Sequence, residues 1–242
     1  MFAVDIQNLV KLFGSVKALD GISFQVEEGE VYGLIGPNGA GKTTMLRILA
    51  TLLLPTKGSA KVFGLDVVSQ ASEVRRIIAY LAEEAGAYRN LSGYEYLWIM
   101  AKIYFKSRQE AREAVDLAVE ASGLGERVHD KVKTYSKGMK RRLQVARVFM
   151  AKPRLAILDE PTAGLDVIHA NHIRRLVRDY TKEHNTTVIM SSHNMLEVEY
   201  ICDRVALIDK GKMVAEGSPK ELKTMWEASN LEEVFVKVVG VE

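Results

Sequence analysis

Apolar residues recur along the chain in two periods, and the switches between them outline the fold. Ile22 to Val26 and Val31 to Ile35 flank the turn-like break Glu27-Glu28-Gly29-Glu30; the second run is continuously apolar, as a sheet-centre strand is. Two later runs repeat the design: Leu155-Ala156-Ile157-Leu158 ends in Asp159-Glu160-Pro161, and Thr187-Val188-Ile189-Met190 ends in Ser191-Ser192-His193. Each puts polar chemistry just past its carboxyl end. Open parallel sheets bind ligands at that edge, so three distant segments are expected to converge on one site.

Between these strands, from about residue 84 to 150, the texture changes to helix formers. Ser92 with Glu95 and Ser107 with Glu110 match capping boxes, and Gly123 follows the periodic segment 111–121 as a stop. This stretch reads as an inserted helical lobe. Its aromatics Tyr94, Tyr96, Trp98, Tyr104 and Phe105 are read as lobe packing, with a partner-binding groove as the alternative. Later, Asn194 to Cys202 has helical periodicity, and Val205 to Ile208, Asp209-Lys210-Gly211-Lys212 and Met213 to Ala215 read as a hairpin. Ser218-Pro219-Lys220-Glu221 is a further capping box, and Leu231, Val234, Phe235 and Val238 give the last helix one apolar stripe that docks on its own domain.

Composition narrows the class. The 242 residues are enough for one large α/β domain with an inserted lobe, and 33 Lys and Arg against 31 Asp and Glu leave a formal charge of +2. No electrostatic footprint for nucleic acid follows from that balance. The single cysteine, Cys202, has no internal partner and reads as a small hydrophobe. The start lacks a leader pattern, and no run reaches the roughly 18 apolar residues of a membrane span. The expectation is a chain neither secreted nor embedded in a membrane by itself.

The strand Val31 to Ile35 leads into Gly36-Pro37-Asn38-Gly39-Ala40-Gly41-Lys42-Thr43-Thr44 and then into a helix-like run. Glycines at 36, 39 and 41 let successive N–H groups curl toward one point, an anion nest that fits a phosphate. The helix beginning near Lys42 adds its positive end; the Lys42 ammonium can bridge the outer phosphates, the Thr43 hydroxyl can ligate Mg²⁺, and Thr44 adds a phosphate contact. Asp159 at its strand end is suited to hold Mg²⁺ opposite Thr43. Glu160 stands where a general base polarises an attacking water, and His193, at the same edge, can contact the γ-phosphate and orient the water or Glu160.

Taken as a set, these residues resemble the nucleotide-binding subunit of an ABC transporter over nearly the whole chain. GPNGAGKTT is similar to that family's Walker A, including Asn38, Gly39, Ala40 and Gly41; LAILDEPTAGLD is similar to Walker B running into the D-loop, with Asp166 among the nucleotide-contacting residues. His193 matches the switch histidine. Tyr135-Ser136-Lys137-Gly138-Met139 stands where the family has LSGGQ, and the resemblance implies that Ser136 and Gly138 complete the ATP pocket of an opposite subunit. Phe13 matches the aromatic that stacks on adenine. In place of a Mg²⁺-contacting glutamine the chain offers Glu83. Tyr135, Lys137, Met139 and Glu83 depart from the general pattern and, with the tail Leu231-Glu232-Glu233-Val234-Phe235, resemble the ABC-2 type exporter branch.

The resemblance implies a P-loop NTPase fold of the α/β class with a mainly parallel sheet, N-terminal antiparallel β strands and an inserted helical subdomain. The expected division is a nucleotide-binding core over 1–84 and 151–217, the helical subdomain over 85–150, and a C-terminal helical tail over 218–242. The implied function is a Mg²⁺-dependent ATPase whose ATP-driven dimer closure powers transport, with export favoured over import. The implied partners are an integral membrane permease and a second ATPase subunit, identical or related, and the implied location of the chain is cytoplasmic, peripheral on the inner face of the cell membrane. The basic cluster Lys137, Lys140, Arg141 and Arg142 is read as a solvated helix face, or a contact with partner or nucleotide, ahead of nucleic-acid binding. The rivals are a soluble ABC protein of DNA repair or translation, which would show a coiled-coil insertion, zinc cysteines or a second cassette, and a nucleotide-gated interaction module without useful turnover, against which Glu160 argues.

Overall fold

The computed structural model describes residues 2–240, except for the side chain of Glu197. Residues 241 and 242 of the expected tail lie outside this description. Two sheets form the frame. The first is antiparallel: β1 (Phe2–Phe13) and β2 (Val16–Glu27) make a long hairpin, β3 (Val31–Ile35) leaves it, α1 (Lys42–Leu49) follows, and β4 (Lys57–Val62) and β5 (Leu65–Asp66) return, giving the order β2-β1-β4-β5. Ile22 to Val26 is thus the end of a strand that starts at Val16.

The second sheet carries the chemistry. After α2 (Ala71–Ile77) come β6 (Ile78–Leu81), the helices α3 (Gly93–Tyr104), α4 (Arg108–Ser122) and α5 (Lys137–Met150), then β7 (Leu155–Leu158), α6 (Val167–His184) and β8 (Thr187–Ser192). The short α7 (Met195–Val198) precedes the hairpin β9 (Arg204–Asp209) and β10 (Lys212–Gly217), and α8 (Pro219–Met225) and α9 (Leu231–Val239) follow. The order is β10-β9-β3-β8-β7-β6, parallel throughout except for the edge strand β10. Every residue of β3, β7 and β8 is buried, because both faces of the sheet are covered.

One face packs with α1 against the antiparallel sheet through Leu34, Ile157, Ile189, Met45 and Ile48. The other face meets α5, α6 and α9 through Ile35, Leu158, Val148, Ile173 and Val234. A third cluster fills the helical lobe with Tyr96, Leu97, Val115, Leu143 and Met150. Helix α5 belongs to both of the last two: Leu143, Ala146 and Met150 face the lobe, while Val145, Val148 and Phe149 face the sheet.

The local signals fare unevenly. Ser92 and Glu95 close a full capping box, as do Ser218 and Glu221 with Pro219 in the first turn, and Gly123 ends α4 in the left-handed region at φ 58. Ser107 forms half a box, accepting from the amides of Gln109 and Glu110. Helix α9 docks on its own chain through Leu231 and Val234, as its stripe predicts. Of the lobe aromatics, Tyr96 is core and Tyr94, Trp98 and Phe105 pack against it, but Tyr104 is exposed and leaves the packing reading there. The predicted helix over 194–202 shrinks to α7. Met195, Val198, Ile201 and Cys202 are all buried, but Asp203 pairs with Val31 through both its amide and its carboxylate, and the chain must already be extending into β9.

Ile157 is fully buried at the centre of the parallel sheet. Replacing it by Ala is expected to cost about 2–5 kcal/mol. Chemical denaturation followed by tryptophan fluorescence and circular dichroism checks this, and an unchanged midpoint would contradict the core assignment.

Candidate functional site

Where β3 ends, the backbone runs beside β8, with the Gly36 amide donating to the Ser192 carbonyl at 3.4 Å, and then wraps into α1. Gly41 sits at φ 110 just before the helix, and a Cβ there would meet the Ala18 carbonyl oxygen at 2.5 Å, so no other residue fits without moving β2. Residues 38–44 line a cleft of about 350 Å³ together with Ala18, Glu83 and Glu160. The first-turn amides of α1 have no intrahelical acceptors and border this space.

The Lys42 side chain is folded back over its own loop. Its ammonium donates to the carbonyls of Gly36 at 2.7 Å and Pro37 at 3.1 Å and stands 3.6 Å from Glu160 Oε1. Lys42 and Glu160 are each only 6% exposed, so the two charges face one another with little water between them. Burial lowers the Lys42 pKa from its ordinary value, against the opposing pull of Glu160, Asp159 and Glu83.

At the end of β7, Asp159 Oδ1 accepts from the Thr43 hydroxyl at 3.1 Å and from Ser191 Oγ at 2.6 Å, and Tyr80 OH stands 3.4 Å from Oδ2. Glu160 follows in the left-handed region at φ 47, a conformation that costs a side-chain-bearing residue about 1 kcal/mol or more. Its amide donates to Ser191 Oγ at 2.9 Å, and its Oε2 lies 2.8 Å from His193 Nδ1. Among the described residues, no three His, Cys, Asp or Glu side chains gather as a metal cage. The Thr43–Asp159 pair instead offers two hard oxygens beside a phosphate-shaped loop, a donor set that fits Mg²⁺ arriving with phosphate and keeping several waters.

The structure therefore brings together Lys42, Thr43, Asp159, Glu160 and His193, with Glu83 exposed on the rim of the same cleft. Phe13, Ser136, Gly138 and Asp166 do not line it. Phe13 is half exposed near the tip of the β1–β2 hairpin with Lys11 Nζ 5.0 Å from its ring centre. Ser136 caps α5, accepting from the Met139 amide at 3.1 Å, and is exposed. Gly138 is buried against the His169 ring, where a Cβ would overlap it. Asp166 caps α6, accepting from the His169 amide at 3.0 Å.

Three contributors escape the sequence reading. Ser191 bridges Asp159 and the Glu160 amide, Tyr80 reaches Asp159 from β6, and Arg141 lies beneath the Asp159-Glu160-Pro161 backbone. The last overturns the solvated-face reading of the basic cluster at Arg141, while Lys137 is exposed as that reading expects. Arg141 is buried, and Arg142 donates to the carbonyls of Ser122 and Gly123. A signal was present: Arg141 falls in register with Gly138, Val145 and Val148, on the inward stripe of its helix.

The comparisons with known proteins agree with this geometry. Residues 19–163 match the family model described as ABC transporter. The chain is 41% identical over 222 residues to the daunorubicin/doxorubicin resistance ATP-binding protein DrrA of Streptomyces peucetius, covering 92% of this chain and 67% of that one. It is 40% identical over 209 residues to the bacitracin transport ATP-binding protein BcrA of Bacillus licheniformis, covering 86% and 67%. A solved ATP binding subunit of an ABC transporter superposes with a TM-score of 0.86 at 25% identity, covering 98% of this chain and 99% of that one. These relatives do not support the alternative of a soluble ABC protein of DNA repair or translation. Its parallel sheet, its phosphate loop and these relatives together establish that the chain belongs to the family of ABC transporter ATP-binding subunits.

Proposed function

We propose that this ATPase hydrolyses Mg²⁺-bound ATP between two subunits and passes the resulting closure to an integral membrane permease. The observation that carries the reading is the meeting of the Lys42 ammonium, the Thr43 hydroxyl and the Asp159 and Glu160 carboxylates at one sheet edge. In this reading the amides of residues 38–44 and the Lys42 ammonium hold the phosphates, and Phe13 stacks on the adenine. Thr43, Asp159 and Glu83 hold Mg²⁺, which when bound neutralises charge on the phosphates. Glu160 accepts the proton of a water as its oxygen bonds to the γ-phosphorus and the bond to the β-phosphate oxygen breaks, leaving ADP and phosphate. His193, hydrogen-bonded to Glu160, orients that carboxylate and the water.

Ser136, Gly138 and Asp166 stand outside this chain's own cleft, which supports their serving the ATP of a second subunit, identical or related. The core is 1–84 with 151–217, the lobe 85–150 and the tail 218–242. No described helix is long and apolar enough to cross a membrane, in keeping with a chain that works at the inner face of the cell membrane on a separate permease. The resistance and transport names of the relatives favour export.

Glu160→Gln is expected to keep ATP affinity, lower turnover on the order of 10²- to 10⁴-fold, and accumulate an ATP-bound dimer. Phosphate release and light scattering read the two effects; unchanged turnover would remove Glu160 from the role of base. Ser136→Arg is expected to stop turnover while the monomer binds nucleotide with nearly unchanged affinity. Calorimetric titration separates these, and parallel loss of monomer binding would place Ser136 in the chain's own pocket.

A further inference from the structure

Arg141 is 7% exposed, yet it is the most fully engaged cation described here. A guanidinium has five N–H donors in a fixed plane. Each meets a backbone carbonyl: Nε donates to Pro161 at 2.9 Å, Nη1 to Ala82 at 3.0 Å and Glu83 at 3.1 Å, and Nη2 to Asp159 at 2.6 Å and Glu160 at 2.8 Å. The acceptors come from two separate segments, the chain leaving β6 and the chain leaving β7. Two neighbours on the same helix reinforce the first: Gln144 Nε2 donates to the Ala85 carbonyl and Arg147 Nη2 to the Tyr80 carbonyl at 3.1 Å. Burial pulls the Arg141 pKa down to about 10, with Asp159, Glu83 and Glu160 opposing it, so the charge persists at neutral pH.

The second segment is where backbone geometry matters most. Glu160 is held at φ 47, and such a conformation persists only where the surroundings over-determine it. Ser191 fixes the Glu160 amide, and Arg141 fixes the carbonyls of residues 159, 160 and 161. Side-chain direction at 160 follows from those constraints. Without them the residue relaxes toward ordinary angles and its carboxylate swings away from Lys42 and His193.

We propose that Arg141 is a positioning residue for hydrolysis, stapling the backbone of the Glu83 segment to that of Glu160 and so fixing where the Glu160 carboxylate stands. The proposal rests on Glu160 being the base. Lysine cannot replace Arg141 here: an ammonium has three donors radiating from one point and cannot reach five carbonyls set around a plane. The staple leaves the phosphate loop untouched, so its loss acts on the chemical step and not on nucleotide affinity.

The test uses the whole chain with Arg141→Lys and Arg141→Gln, each alone and in the Glu160→Gln background. Single-turnover hydrolysis, affinity for a fluorescent ATP analogue and the unfolding midpoint are measured. The expected result is a loss of hydrolysis rate on the order of tenfold to a hundredfold in both single variants. Nucleotide affinity should stay within about twofold. In the Glu160→Gln background, adding either change should lower the residual rate no further, since both act through one group. Wild-type rates in Arg141→Lys and Arg141→Gln, fully additive losses, or loss of nucleotide binding or of the fold in both variants would each overturn the proposal, the last by assigning Arg141 to the fold alone. Wild-type turnover in Glu160→Gln would instead remove the base itself, and that outcome is distinct.

Discussion

Parallel pairing of β3, β7 and β8 is the constraint on which the site depends. With Ile35 beside Ser192 and Leu158 beside Met190, three segments far apart in sequence must leave the sheet at the same edge. Their next residues are the phosphate loop, Asp159-Glu160 and His193, so strand register alone brings a cation, two carboxylates and an imidazole within hydrogen-bonding reach. A slip of one residue in β7 would turn Ile157 and Leu158 to the wrong faces of a sheet that is buried on both sides. Core packing and site geometry are therefore enforced by the same hydrophobic pattern.

Burial then sets the electrostatics. Lys42 and Glu160 face one another almost out of water, where an unpaired charge costs several kcal/mol. Each needs the other, and Lys42 also needs the Gly36 and Pro37 carbonyls. Any phosphate entering the loop would compete with these partners for the ammonium. The residue proposed to hold the nucleotide and the residue proposed to activate water are thus linked through one buried ion pair.

Most of this frame is legible in the sequence because parallel strands buried on both faces are apolar without interruption and end abruptly in polar residues, as Leu155 to Leu158 and Thr187 to Met190 do. Caps are legible for a similar reason: Ser92 with Glu95 and Ser218 with Glu221 satisfy a local demand for acceptors. What escapes is chemistry that depends on tertiary contact. Ser191 looks like punctuation between a strand and a histidine, yet it holds both Asp159 and the Glu160 amide. The spacing of Met195, Val198, Ile201 and Cys202 promises a helix of two turns, and all four are buried, but turns satisfy the same spacing once Asp203 is tied to Val31. Arg141 was hidden by its neighbours, because four basic residues in six positions read as a charged surface until helix periodicity separates the one that points inward.

Helix α5 gives that inward arginine its significance. Its N-terminal cap, Ser136, is exposed and does not line the chain's own cleft, while Arg141, five residues on and about 7.5 Å along the axis, grips the backbone beneath Glu160. The helix between them is continuous, and its side chains are packed into two hydrophobic clusters. A displacement of α5 at Ser136 would therefore be felt at the 82–85 and 159–161 segments, which the same helix holds through Arg141 and Gln144. If a second subunit's nucleotide docks at Ser136, the arginine staple makes the stance of the Glu160 carboxylate answer to that docking, and water activation in one cleft is tied to occupancy of the other by ordinary backbone hydrogen bonds.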